Sequence, residues 1–132
     1  MKEELLTRAL SARENSYCPY SGFAVGAALL CEDGEIITGC NVENSAFSPT
    51  ICAERVAIFS AISKGKHKFK KILIVGGKKG EKIESECTPC GVCRQVLSEF
   101  CDKDFEILTY DGKEVITRTL GELLPYSFDI KK

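Results

Sequence analysis

The chain has no tryptophan, one methionine and one histidine among its 132 residues. It also lacks any apolar run near the roughly 20 residues that a membrane helix needs, so no spanning segment is expected. A single histidine rules out a site built on several imidazoles. His67 lies among Lys64, Lys66, Lys68, Lys70 and Lys71, where it reads as solvated, and that removes a serine–histidine triad as well. Neither sign of charge dominates: 18 Lys and Arg against 19 Asp and Glu leave a formal net charge of −1. Proteins that grip phosphate backbones carry a basic excess or a basic face, so the expected substrate is a small molecule and not a nucleic-acid polymer. The lysine cluster reads as a solvated helix end and loop. The opening MKEELLTRALSAREN has no basic segment followed by an apolar one, so a soluble, cytoplasmic protein is expected. Repeats, low-complexity stretches and linkers are missing too, and residues 1–132 read as one domain.

What is present is globular in composition, with 44% hydrophobic and 28% charged residues. Leu6, Ala9, Leu10 and Arg13 recur at helical spacing and predict an opening helix over 3–14. Residues 15–22 are rich in turn formers. Residues 23–31 and 36–42 read as two strands joined at Asp33-Gly34, an Asp-Gly hairpin signal. From Cys52 the sequence CAERVAIFSAISKG predicts a buried helix ending at Gly65. Residues 71–77 (KILIVGG) form a run without polar alternation, the mark of a central strand. A helix is expected over 91–100, strands over 105–110 and 114–117, and a short helix over 119–124. Strands alternating with helices after a hairpin imply a three-layer α/β/α domain, a mixed sheet of about five strands covered on both faces.

Eight cysteines, at 18, 31, 40, 52, 87, 90, 93 and 101, suggest metal ligands or buried thiols when no secretion signal is seen. Cys90-Gly91-Val92-Cys93 is a Cys-x-x-Cys pair entering a helix, a spacing shared by zinc sites and redox pairs. Cys52 adds a third thiol at another helix start, and three thiolates with one open position describe a catalytic zinc. A closed site from Cys87, Cys90, Cys93 and Cys101 fails on length. Cys101 lies eight residues beyond Cys93, about 12 Å along a helix. Cys18, Cys31 and Cys40 read as buried thiols. Three thiolates would blunt the metal's pull on water, and Arg55 and Arg94, each beside a ligand or beside Glu54, are candidates to donate to the sulfurs. Glu54, two residues after Cys52, can take a proton from a metal-activated water, or simply favour the helix dipole. The cysteine constellation prefers the first reading.

Cys52-Ala53-Glu54-Arg55 together with Pro89-Cys90-Gly91-Val92-Cys93-Arg94-Gln95 closely resembles the cytidine deaminases, specifically the short homotetrameric kind with three cysteine ligands. Residues 17–29 (YCPYSGFAVGAAL) and 39–44 (GCNVEN) resemble two further stretches of that family, so the likeness covers nearly the whole chain. The resemblance implies one zinc per chain on Cys52, Cys90 and Cys93, and a water activated there that adds to C4 of cytosine. It implies that Glu54 protonates N3 and later helps expel ammonia. Asn41 and Glu43 would bind the ribose 3′-hydroxyl, Phe23 would pack on the pyrimidine, and Ala53 would also touch substrate. The C-terminal stretch 123–128 (LLPYSF) resembles a segment whose Phe reaches a neighbouring subunit, which makes Phe128 a residue contributed in trans. Phe47 departs from the family, which often has Tyr there. Two rival readings stand beside this one: a related small deaminase acting on a nucleoside-like compound such as blasticidin S, and a non-catalytic structural zinc module.

Overall fold

The structure is a computed structural model that describes residues 1–130. Helix α1 (Lys2–Arg13) is followed by strands β1 (Phe23–Cys31) and β2 (Ile36–Cys40), then helix α2 (Ala53–Ser63) and strand β3 (Phe69–Lys78). Helix α3 (Gly91–Phe100), strands β4 (Glu106–Tyr110) and β5 (Val115–Thr119), and the one-turn helix α4 (Leu120–Leu123) complete the order. The five strands form one sheet in the order β2-β1-β3-β4-β5. Only β3 and β4 are parallel, because α3 carries the chain back across the sheet between them. A parallel pair needs such a crossover. The expected three-layer α/β/α arrangement with a mixed five-stranded sheet is the one observed.

The pleat sorts the core into two layers. Ala27, Leu29, Ile72, Ile74 and Ile107 point to the face that receives α2 and Leu97 of α3. Ala28, Leu30, Leu73, Val75 and Leu108 point to the opposite face, against Leu5 and Ala9 of α1. β1 and β3 are buried on both faces, which is why their sequences read as unbroken apolar runs.

Each of the two large helices crosses the sheet over a glycine. A Cβ on Gly26 would lie 2.1 Å from the Ala9 carbonyl oxygen in α1, and one on Gly39 would lie 2.5 Å from the Ala53 carbonyl oxygen in α2. Backbone approaches backbone there, and only glycine leaves the room. Because Gly39 lies against the first turn of α2, it also sets how deep that turn sits.

Several boundaries differ from the sequence reading. β3 begins at Phe69, two residues early, since Phe69 pairs with Cys31 across a register shift; the lysine at 70 hid that start. β2 stops at Cys40, and Val42 instead makes isolated bridges to Tyr17 and Ile51. β5 runs to Thr119, whose side chain then caps α4 in a reciprocal box with Glu122. In the lysine-rich segment His67 is exposed. Lys66 pairs with Asp33 and Glu35 at 2.5 and 2.9 Å, and Lys71 with Glu106 at 3.0 Å.

Gly39→Ala is expected to lower unfolding free energy by about 1–3 kcal/mol through overpacking. Gly91→Ala, at a helix start with no neighbour within 4 Å of the new Cβ, should leave stability unchanged or raise it by up to ~1 kcal/mol. Urea denaturation of the two variants measures the contrast.

Candidate metal centre and substrate clamp

One end of the strands collects the chemistry. Phe23 opens β1 and pairs with Lys78 at the end of β3, while Asn41 and Glu43 follow β2 on the same side. Helices α2 and α3 both start there, with Cys52 and Cys90 as their N-cap residues. Ligand sites in open α/β sheets form outside the carboxyl ends of parallel strands, and this is the end at which β3 terminates.

The three cysteines meet. Sγ of Cys52 lies 3.8 Å from Sγ of Cys90, and Sγ of Cys90 lies 3.4 Å from Sγ of Cys93. All three sulfurs fall within 4.8 Å of one another. Zinc–sulfur bonds of ~2.3 Å at the tetrahedral angle put sulfurs about 3.7 Å apart, so the spacing and the donor type both fit a zinc ion. Two helix N-termini aim their free N–H groups into this space, and Cys93 N donates to Cys90 Sγ at 3.5 Å. Both effects favour thiolates. Cys52 is held down to about 5, chiefly by a hydrogen bond from Cys93 and further by Arg55. Cys93, as the donor in that pair, is pushed up. Burial raises Cys87 to about 11 and Cys101 to about 12, which leaves both as neutral thiols.

The two arginines separate. Arg55 Nη2 points at Cys52 Sγ, 3.7 Å away, and its Nε is buried with no protein acceptor. A guanidinium so placed suits a cluster of negative sulfurs. Arg94 holds main chain instead: Nε donates to the Pro89 carbonyl at 2.8 Å and Nη1 to the Leu123 carbonyl at 3.1 Å. It braces the segment before Cys90 and not a ligand sulfur.

Glu54 lies in the first turn of α2 and is 4% exposed. Burial lifts its carboxyl to about 7, with the nearby Cys52 charge adding to the rise. A carboxyl that titrates near neutrality can both accept and return a proton. Ala53 beside it is fully buried, its carbonyl packed toward Gly39.

The clamp residues are tied into the chain. Asn41 Nδ2 donates to the Phe23 carbonyl at 2.8 Å, and Oδ1 accepts from Val25 N at 2.9 Å and from the Ser16 hydroxyl. Asn41 therefore fixes the start of β1 and, with it, Phe23. Glu43 Oε1 accepts from Tyr20 N and Ser21 N at 3.0 and 3.1 Å, while Oε2 accepts from the Ser21 hydroxyl. These bonds hold its carboxyl below the usual carboxylate range, the Ser21 hydroxyl foremost. Tyr20, Ser21, Glu43, Phe47 and Thr50 line a cleft of about 400 Å³. Phe47 meets Tyr20 edge-on at 6.3 Å and holds a left-handed φ of 63°. Phe23 is 41% exposed, and its ring edge lies 3.0 Å from where a Cβ on Gly76 would stand. Phe128 is 69% exposed, with its carbonyl held by Gln95 Nε2 at 3.0 Å.

Sequence reasoning passed over Ser16 and Ser21, the hydroxyls that set Asn41 and Glu43. It passed over Arg13 as well, whose buried guanidinium donates to the carbonyls of Ala24, Lys78 and Glu81. Serines in a turn-rich loop carry no distinguishing pattern. Arg13 read as one residue of an amphipathic repeat.

A family model described as "Cytidine and deoxycytidylate deaminase zinc-binding region" matches residues 1–109. A protein of Sporosarcina psychrophila named cytidine deaminase is 46% identical over 127 residues, spanning 96% of this chain and 90% of the relative. The crystal structure of cytidine deaminase from Burkholderia pseudomallei superposes with a TM-score of 0.88 at 39% identity, covering 97% of this chain and 99% of that one. A blasticidin-S deaminase of Bacillus cereus is more distant, 35% identical across 79% of this chain and 76% of its own length.

The purified chain is expected to carry one zinc, counted by plasma emission spectrometry. Cys90→Ala should lose the metal, and Cys101→Ala should keep it.

Proposed function

The chain belongs to the cytidine and deoxycytidylate deaminase family, and on that footing we propose that it hydrolyses cytidine and 2′-deoxycytidine to uridine and 2′-deoxyuridine with release of ammonia. The observation that carries the reading is the meeting of Cys52, Cys90 and Cys93 sulfurs beside a carboxyl, Glu54, that is buried and raised to about 7.

Cys52, Cys90 and Cys93 would hold the zinc, whose chemistry there would be to acidify a water for use as the nucleophile. Glu54 is the residue that would accept a proton from the attacking water and deliver it to N3 of the base. Its carboxyl then moves the second proton to the exocyclic amino group, so that ammonia leaves and the 4-oxo base remains. Arg55 steadies the Cys52 thiolate and offsets the charge of three sulfurs. Phe23 offers an aromatic face to the pyrimidine, Ala53 lines the base side, and Asn41 and Glu43 take the 3′-hydroxyl. Glu43 keeps about one lone pair free, on Oε2, after its three bonds to residues 20 and 21. A clamp at the 3′ position is blind to the 2′ position, which supports activity on both nucleosides.

In the same reading, residues 1–132 act as one deaminase domain that works as a cytoplasmic homotetramer in pyrimidine salvage. Among the described residues no helix is long and apolar enough to cross a membrane. Tyr126 and Phe128 stand 97% and 69% exposed, which supports Phe128 reaching the site of a neighbouring copy.

The test is an ultraviolet assay of cytidine, 2′-deoxycytidine and blasticidin S, with and without a chelator. Both nucleosides should turn over and the chelator should stop them. Turnover of blasticidin S alone favours the rival deaminase, and zinc-loaded protein inert to all three favours a structural module. Glu54→Gln should keep its zinc and run ~10²–10⁴ slower; a fully active variant removes Glu54 from the mechanism.

A further inference from the structure

After Lys78 the chain leaves the sheet and reaches Cys90 without a helix or strand. Among the described residues, none from 82 to 89 enters a backbone–backbone hydrogen bond. The position of the Cys-x-x-Cys pair therefore depends on side chains. Ile83 is buried in the apolar layer that faces α1. Cys87 packs with the opposite layer, and Pro89 is fully buried. Such contacts fix depth without direction, and Arg94 Nε holds the loop only at its last residue, through the Pro89 carbonyl.

Glu86 supplies direction. Its Oε1 accepts from Thr109 Oγ1 at 3.0 Å and from Arg118 Nη1 at 2.5 Å, and its Oε2 accepts from Arg118 Nη2 at 3.1 Å. Thr109 is 1% exposed in the middle of the sheet, so its hydroxyl is a fixed point. The register Ile107↔Arg118 and Thr109↔Ile116 puts Thr109 and Arg118 on one face of β4 and β5. A two-pronged guanidinium–carboxylate contact sets orientation as well as distance, and here it orients the backbone four residues before Cys90. The other charges felt at the pair are already occupied. Glu122 caps α4 with Thr119, and Asp111 accepts from Lys113 N and Glu114 N. Arg118 holds the Glu86 carboxyl below the usual carboxylate range, so the pair stays charged at neutral pH.

We propose that Glu86, Arg118 and Thr109 are positioning residues for the metal loop, holding it against β4 and β5 so that Cys90 and Cys93 arrive already placed against Cys52. They touch neither zinc nor substrate. The proposal rests on the zinc reading above. An ion pair with side chains 34% and 29% exposed otherwise contributes little to folding, so metal retention, not stability, is where the role appears.

The experiment follows zinc release from the full-length holoenzyme to a chromogenic chelator, well below the melting temperature. The proteins are wild type, Glu86→Ala, Arg118→Ala, the double variant and Lys71→Ala, which breaks a different ion pair of the sheet. Each single variant of the Glu86–Arg118 pair should release zinc about tenfold faster, and the double variant no faster than the faster single. Lys71→Ala should match wild type, and the thiolate-to-cobalt absorption of cobalt-loaded Glu86→Ala should shift from that of wild type. Unchanged release from Glu86→Ala, additive effects in the double variant, or equal acceleration by Lys71→Ala overturns the proposal alone. Wild-type protein that holds no zinc overturns the metal reading, and this proposal with it.

Discussion

Two helix N-termini have to approach until the sulfurs of Cys52 and Cys90, thirty-eight residues apart in sequence, stand 3.8 Å from each other. Much of the surrounding architecture serves that approach. Helix α2 can sit low enough only because Gly39 carries no side chain beneath its first turn. Helix α3 reaches the same end of the sheet because it begins the crossover from β3 to the parallel strand β4. Once both starts face one point, their unpaired N–H groups and dipoles favour negative sulfur there. A single side chain then follows each start by a short step: Glu54 after Cys52, Cys93 after Cys90.

Thiolate and carboxyl make opposite demands, although only one residue separates Cys52 from Glu54. A thiolate is held by donors, which Cys93 and Arg55 supply to Cys52. A carboxyl able to carry a proton near neutrality needs the reverse, removal from water without a strong cation on it, and burial provides that for Glu54. The turn of α2 resolves the conflict by sending the Arg55 guanidinium to sulfur while the Glu54 side chain turns inward.

The substrate side is built by a different rule. Strand ends and loops leave carbonyls and N–H groups that must find partners, and here side chains provide them. Asn41 joins Phe23 to Val25, Glu43 gathers residues 20 and 21, and Arg13 collects three carbonyls from behind. Lys79 adds the Ser16 carbonyl at 2.6 Å. Asn41 and Glu43 thus set the shape of the cleft wall, which Glu43 also lines.

The sequence by itself determined the strands that are buried on both faces, the two helix starts at cysteine and the three cysteines whose sulfurs meet. These are local signals: an unbroken apolar run, a Cys-x-x-Cys spacing and a thiol followed two residues later by an acid. It left open which end of the sheet the parts would share, and it could not see Ser16, Ser21, Thr109, Glu86 or Arg118 as anything but ordinary polar residues. Those roles depend on distance between chain segments up to thirty-two residues apart, and no periodicity encodes that. It offered Arg94 as a candidate at the sulfurs by adjacency, whereas the helix turns that side chain back to Pro89 and across to Leu123. Adjacent residues on a helix point about 100° apart, so a neighbour in sequence is seldom a neighbour at the metal. The chemistry was written in the residues, and the tertiary fold decided which of them could reach it.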